Sequence, residues 1–447
     1  MRFSWGLLVI MLSTVFLRGF AQADGIKPGD TISPDNASQV TDLVSPGNLL
    51  LVKEGMRMNI VPTRRLEWPP PYKQATEKYS PQVGLSGNGE LQNYVAGLPF
   101  PLIDPNDPQA ATKVMWNFSY RPEYTDDADL REVELASFSP VSVGPAEQFR
   151  IGHVSLYSNV GRTEISPIPT DPSGPGIRYR FGAYPFEEPA EIEGFGMVRY
   201  RYIDPRREDD TWAYMPGMRR VRREAANVLS DVLPPTSKID GHVGRTGGGG
   251  TSATYVNNLD PDSTAGFAAK IEDFNYRLLR LKPMLASVHA QNIPAKPCQF
   301  ENSRTICPEN WEIRQLYVIE ATAKPVSWTQ KIGNDGLTIP KRILYIDSEG
   351  WFITASDQYD RNGTLWKTIA TFSTYRDRPI PDARVAIFPF KRSFQTALVD
   401  EDLLSGYSTI AYTPGHEGTD QECWYINMGV ITKSLLDPNR MAIAGNR

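Results

Sequence analysis

Between Val198 and Arg223 the chain alternates with a period of two and then breaks into arginines. Val198, Tyr200 and Tyr202 alternate with Arg199, Arg201 and Ile203, which predicts a strand with one aromatic and one largely cationic face. Asp204-Pro205 opens a turn, and the charged run Arg206 to Asp210 reads as a solvated hairpin loop. Thr211 to Met215 resumes the alternation, with Trp212 and Tyr214 on one face. Pro216-Gly217 stops it, and Arg219, Arg220, Arg222 and Arg223 follow. From about residue 130 onward the same periodicity recurs. It predicts strands over Arg131–Phe138, Ile151–Tyr157, Tyr179–Ala183, Met197–Ile203, Thr211–Met215, Glu312–Thr322, Lys341–Asp347, Phe352–Asp357 and Leu365–Tyr375. Where strands are closely spaced with turn signals between them, an antiparallel meander is expected. Asn362-Gly363 predicts a tight turn, since both residues tolerate positive φ. Ala268 to Leu279 reads as helix.

Residues 24 to 130 look different. They are proline-rich with few periodic segments, and predict an ordered arm packed on a main domain of residues 131–447. Within the arm, Ala37 to Leu43 reads as a short helix, Leu50 to Lys53 and Met56 to Val61 as strands, and Ala75 to Tyr79 as a helix. Asp107-Pro108 starts another helix. The run Pro69-Pro70-Pro71 excludes regular structure by this reading, because prolines lack donors and fix φ.

Composition narrows the class. The chain has 447 residues, 40% of them hydrophobic, with 37 prolines and 35 glycines. That favours many short strands joined by turns. A formal net charge of −5 disfavours nucleic-acid binding. At the N-terminus, Arg2 precedes an apolar run from Gly6 to Leu17, which is 12 residues and short of the roughly 20 that span a bilayer. Ala21-Gln22-Ala23 then supplies a small-x-small cleavage pattern, so residues 1–23 read as a secretory leader. Cys298 and Cys307, each beside a proline, read as a disulfide in an oxidising compartment, with unlinked thiols as the alternative. Cys423 is expected to be a buried thiol. No histidine lies near the cysteine pair, so no metal site is expected.

Few motifs carry catalytic chemistry. Gly244 and Gly249 have phosphate-loop spacing, but Gly250 stands where that loop needs lysine, and the Gly247–Gly250 run reads as a surface loop. Asp357 to Gly363 lacks the ligand order of a calcium loop. His153, His242, His289 and His416 are scattered, and no GxSxG elbow is present. Glu187-Glu188 and Asp209-Asp210 read as solvated turns. No catalytic residue and no cofactor is therefore assigned. The arginine cluster at 219–223 is set apart from a generic charge run because it follows an aromatic strand, and guanidinium forks bind carboxylate or phosphate bidentately.

Thr211 to Arg223, TWAYMPGMRRVRR, resembles the aromatic strand, Tyr-x-Pro and arginine signature of the LolA/LolB-like superfamily of periplasmic lipoprotein carriers. The wider chain resembles an exported, uncharacterised LolB-like branch of it, a domain of unknown function in Gram-negative bacteria. The other marks are YVAGLPFPLIDPNDPQAATKVMWN (Tyr94–Asn117), WEIRQLYVIEA (Trp311–Ala321) and KRILYIDSEGWFITASDQYDRNGTLWK (Lys341–Lys367). The resemblance implies an α+β, mainly antiparallel β fold. Its sheet would curve into a half-barrel whose apolar concave face is covered by helices or loops. It also implies a link to resistance-nodulation-division (RND-type) exporters and an outer-membrane partner, beside which such proteins are often encoded. This chain has no lipobox cysteine, is much longer than a lipoprotein carrier, and carries an arm without counterpart there. The expectation is a soluble, non-lipidated periplasmic binding or carrier protein for a lipid-like or other hydrophobic ligand. An envelope enzyme on a hydrophobic substrate and a non-catalytic exporter adaptor are the alternatives. If the aromatic face is the concave one, Val198, Tyr200, Tyr202, Trp212 and Tyr214 line the cavity. Arg219, Arg220, Arg222 and Arg223 then meet a polar head or a partner protein.

Overall fold

The computed structural model describes residues 25–139, 145, 147–223, 266–267, 269–292, 297–300, 303–324, 340–378, 387–404, 406–413 and 423–444. The leader, the run Gly247–Gly250, His242 and His416 lie outside the described residues. Among those described, one 17-stranded sheet dominates. Its long strands, in chain order, are β1 (Asp127–Phe138), β2 (Glu147–Ser158), β3 (Ile177–Ala183), β4 (Gly196–Tyr202), β5 (Asp210–Met215), β6 (Arg220–Arg223), β7 (Phe274–Ala286), β8 (Glu309–Ala323), β9 (Lys341–Asp347), β10 (Ile353–Tyr359), β11 (Leu365–Arg376), β12 (Arg392–Asp402) and β13 (Tyr407–Tyr412). Four α-helices among the described residues accompany them: α1 (Pro46–Lys53), α2 (Pro70–Tyr79), α3 (Ala110–Ser119) and α4 (Pro438–Ala444). In space the strands run β7 through β13 and then β1 through β6, each antiparallel to the next. Two meanders are thus joined where β13 pairs with β1. No pairing joins the edge strands β6 and β7, so the sheet stays open.

Alternation along the strands gives the sheet two apolar faces. One face carries Val318 of β8, Tyr345 of β9, Phe372 of β11, Val399 of β12 and Ile410 of β13. Residues 26–66, including Val40, α1 and Leu66, cover it. On the opposite face Tyr317, Ile319, Leu344 and Ile346 meet Phe118 of α3, Phe267 and Ile271. The layer formed by residues 118–124 and 266–273 also reaches the other half of the sheet. Lys270 Nζ donates to the carbonyls of Pro205 (3.3 Å) and Arg207 (2.8 Å) in the β4–β5 loop. Arg178 of β3 donates to Ser119 Oγ at 2.6 Å. One layer touches the same face at both halves, so the sheet curls around it and this is the inner face. The fold is α+β, mainly antiparallel β, a curved open sheet with covering helices and loops.

Several local expectations need correction. Leu50 to Lys53 closes α1 and is not a strand: Ser45 Oγ accepts from Asn48 N at 3.0 Å, Pro46 sits in the first turn, and this Ser-Pro start outweighs the β-like composition. Helix α2 begins at Pro70, inside the proline run, because first-turn residues need no donor. Ala268 to Leu279 is not an α-helix where it is described: only Ile271–Asp273 makes a single 3-10 turn. Phe274 onward is edge strand β7, whose backbone pairs with β8. At 360–364 only Gly363 takes positive φ, +81°, and Asp360 Oδ1 accepts from the amides of Asn362 and Thr364. The arginine run is a strand, the last of its meander.

The arm is held by buried polar chemistry as well as by apolar packing. Arg314 is clamped by Asp347 through Nε (2.7 Å) and Nη2 (3.1 Å), by Glu349 (2.9 Å) and by Glu312 (3.2 Å). It also donates to the Arg64 carbonyl at 2.6 Å. Farther along, α1 docks end-on against Asp357, which accepts from Thr368 Oγ1 at 2.8 Å, Ser45 Oγ at 3.2 Å and Gly47 N at 3.3 Å. A Cβ at Gly47 would lie 1.8 Å from Thr368 Oγ1, so only glycine permits this approach. Cys298 and Cys307 form a disulfide across a two-stranded hairpin. Cys423 is a buried thiol outside any disulfide, and burial pushes its pKa up to about 11. No helix among the described residues is long and apolar enough to cross a membrane.

Candidate functional site

Strands β3 and β4 each carry the tripeptide Arg-Tyr-Arg, at 178–180 and 199–201. Their antiparallel register sets Tyr179 opposite Arg201 and Arg180 opposite Tyr200. Each face of the pair therefore has a guanidinium against a ring. On the inner face Arg201 lies 5.5 Å from the Tyr179 centroid; on the outer face Arg180 lies 5.2 Å from Tyr200. Such contacts gain strength where water is excluded.

The inner face adds a second tier. Arg178 stands 4.4 Å over the Tyr120 ring and 5.5 Å from Tyr179. Tyr94 packs on Tyr120 with centroids 3.9 Å apart, and its hydroxyl donates to the Gly97 carbonyl at 2.9 Å. Burial pushes the Tyr94 and Tyr124 phenols well above their ordinary range, so both stay neutral. A cleft opens here, lined by Tyr94, Tyr120, Tyr124, Leu156, Arg178 and Tyr179, with about 60 Å³ of free volume. That holds a small polar group or a few waters. Tyr124, Leu156 and Tyr179 also belong to the apolar cluster that continues along the inner face through Phe181, Met197, Leu135 and Leu398. The cleft is thus a cationic, aromatic mouth over a packed apolar core. Deeper in, Arg201 donates to Asp209 Oδ2 through Nε and Nη2, both at 3.0 Å. Burial pushes the Asp209 pKa upward, but the charges of Arg201 and Arg199 outweigh it and hold the carboxyl below its ordinary value. Asp273 goes the other way, to about 6, because its burial exceeds the pull of Lys270.

The aromatic row expected from sequence is on the outer face. Val198, Tyr200, Trp212 and Tyr214 pack with Met441 and Ala442 of α4. The Tyr200 hydroxyl donates to the Leu436 carbonyl at 2.8 Å. Tyr202 donates to Asp210 at 2.5 Å and carries the Arg207 guanidinium 3.4 Å from its ring centroid. Arg219, Arg220, Arg222 and Arg223 are exposed on and just before β6. Arg220 and Arg222 lie opposite Met215 and Ala213; Val221 and Arg223 lie opposite Tyr214 and Trp212. Row and arginines share one hairpin, but the row is covered by α4 and the arginines are not. Among the other polar groups, Ser155 Oγ donates to Asp129 Oδ1 at 2.7 Å, and His153 Nδ1 lies 3.1 Å from the same carboxylate. The serine proton is engaged by Asp129 and not by the imidazole, so this cluster lacks the nucleophile-to-base contact of acyl transfer. No group of three or more metal-ligating side chains occurs among the described residues.

Tyr94, Tyr120, Arg178 and Tyr179 were not marked by the sequence reading. The repeated Arg-Tyr-Arg was a visible signal for two of them, but it says nothing until the two tripeptides are known to be register partners. Tyr94 and Tyr120 come from the arm, where no periodicity points to the sheet.

The family model described as "protein of unknown function (DUF1329)" matches residues 31–243 and 250–415. An uncharacterised protein of Pseudomonas aeruginosa is 23% identical over 368 residues, covering 79% of this chain and 71% of its own length. Among solved structures, a DUF1329 family protein from Desulfovibrio piger aligns at 13% identity over 74% of this chain and 98% of its own, with a TM-score of 0.42. A LolA superfamily protein from Nitrosomonas europaea aligns at 16% identity over 64% of this chain and 84% of its own, with a TM-score of 0.30.

Proposed function

Given that the chain belongs to the DUF1329 family of proteins of unknown function, we propose that it is a non-catalytic carrier in the periplasm. Its ligand is a small amphiphile with an anionic head. The observation that carries this reading is the mouth at Tyr94, Tyr120, Arg178 and Tyr179, placed where the apolar inner face begins. The head sits against Arg178, whose guanidinium is held in place by the Ser119 carbonyl and hydroxyl at 2.9 and 2.6 Å. The cleft admits only the head, and Leu156, Phe181 and Met197 behind it are already packed in the core, so the tail is taken up only if this inner face opens. Each methylene removed from water there contributes about 0.8 kcal/mol, enough for useful affinity without any covalent step. Export by the leader at residues 1–23 puts the protein in the envelope, where it exchanges its ligand with an export system.

Titration with dodecyl sulfate and with neutral monolauroylglycerol, both below their micellar concentrations, tests the reading. Arg178→Gln is expected to weaken dodecyl sulfate binding about tenfold, the worth of one charge-assisted contact, and to leave the neutral probe nearly unaffected. Equal loss for both probes, or no binding of either by the parent protein, contradicts it. Hydrolysis of the monolauroylglycerol ester would place the protein among enzymes instead.

A further inference from the structure

We infer that the edge strand β6, with the turn before it and the end of α4, docks this protein on an anionic lipid bilayer. Arg219, Arg220, Arg222 and Arg223 fall within five consecutive residues, and all are exposed. Arg223 is paired with Asp210. Charge on a free sheet edge deters pairing with another strand, and that accounts for a charged edge of either sign. It does not account for Met218 and Ile443, two apolar side chains left 48% and 57% exposed. Met218 closes the β5–β6 turn, and α4, which carries Ile443, packs against β6. Arg220 and Arg222 lie on the face of Ala213 and Met215, and Arg223 on the face that α4 covers, so guanidinium groups flank both sides of the edge with Met218 at its turn. Met edge-on, the forks take lipid phosphates, and the thioether and alkyl groups enter the headgroup boundary.

Size and charge favour a bilayer over a protein partner. A four-residue strand about 13 Å long and roughly 10 Å across offers on the order of 130 Å², small beside the roughly 800 Å² per partner of a stable protein interface. A bilayer, by contrast, recruits through a few basic residues. The chain as a whole carries −5 and is repelled by an anionic surface, so this one basic edge also fixes the orientation of docking. The inference is independent of the ligand reading, since β6 takes no part in the cleft.

Flotation of the purified protein with phosphatidylglycerol-containing vesicles and with pure phosphatidylcholine vesicles, at 50 and 500 mM salt, tests it. Binding is expected to the anionic vesicles only and to fade at high salt. Each arginine contributes about fivefold to partitioning, so Arg219→Gln/Arg220→Gln/Arg222→Gln should lose about a hundredfold. Met218→Asp, which keeps every arginine, should lose part of the binding. Circular dichroism melts confirm that the variants fold. Three outcomes overturn the inference: no preference for anionic vesicles at low salt, undiminished binding by the triple variant, or retention of the patch by an acidic protein with no vesicle binding.

Discussion

Arg314→Ala is expected to lower the unfolding free energy by about 3–5 kcal/mol, the range for removing one partner from a buried ion pair. All but one of its members are enclosed: Arg314 and Glu312 are 3% and 1% exposed at the side chain and Asp347 is 0% exposed, while Glu349 is half-buried. Without the guanidinium, two buried carboxylates face each other with no compensating charge. Glu312 keeps only His289, at 3.1 Å. The loss also reaches the arm. Glu349, which Arg314 holds, accepts from the Leu66 amide at 3.0 Å, and its backbone carbonyl accepts from the Trp68 indole at 2.7 Å. Residues 61–68 should therefore become protease-sensitive before the sheet unfolds. Arg314→Met fills the space and restores no charge, so it should be nearly as damaging. Unfolding free energies from urea titration within about 1 kcal/mol of the parent protein for either variant would contradict this account.

Asp357 should make the protein more stable as pH falls from 7 to 4. Its carboxyl is buried and its hydrogen-bond partners are neutral: Thr368, Gly47, Ser45 and Tyr345. Burial raises its pKa from 3.8 to about 6 despite those hydrogen bonds. A raised folded-state pKa means the folded protein binds the proton more tightly than the unfolded chain does. The contribution is complete below pH 4 and is lost as pH rises through 6. A difference of about 2 pKa units corresponds to about 3 kcal/mol at about 1.4 kcal/mol per unit. Asp357→Asn keeps an acceptor for Thr368 and Ser45 at one oxygen, loses the one for the Gly47 amide and removes the titration, so it should be less stable throughout but vary much less between pH 4 and 7. Asp273 titrates in the same direction and keeps the remainder. Thermal melts at pH 4, 5, 6 and 7 check this; a variant whose melting temperature tracks the parent protein at every pH would rule the assignment out.

The strands were legible because period two is a local property. Lys341–Asp347 was bounded correctly, and most other strands differ only at their ends, where pairing decides and composition does not. β12 and β13 were not predicted, and β7 was lost because a thirteen-residue edge strand has one side unpaired and mixes Arg277, Arg280 and Lys282 into its apolar pattern, which blurs the alternation. The proline run and the Ser45-Pro46 start misled for one reason: proline forbids helix interiors but favours the first turn. On the hairpin, the split into aromatic and cationic faces was visible from Val198 to Tyr214. Its orientation was not, because a two-residue period assigns sides without saying which is inside. That depends on contacts such as Lys270 with the β4–β5 loop, 63 residues apart in sequence for Arg207. The cleft lay beyond local reading, since its rings come from the arm and its guanidinium from β3.

Native mass spectrometry of the protein released gently from the periplasm tests the carrier reading most directly. The account predicts a second mass, heavier by one small amphiphile, that is extractable with organic solvent and depleted in Arg178→Gln. A single bare mass for the parent protein, or an adduct retained undiminished by Arg178→Gln, would contradict it.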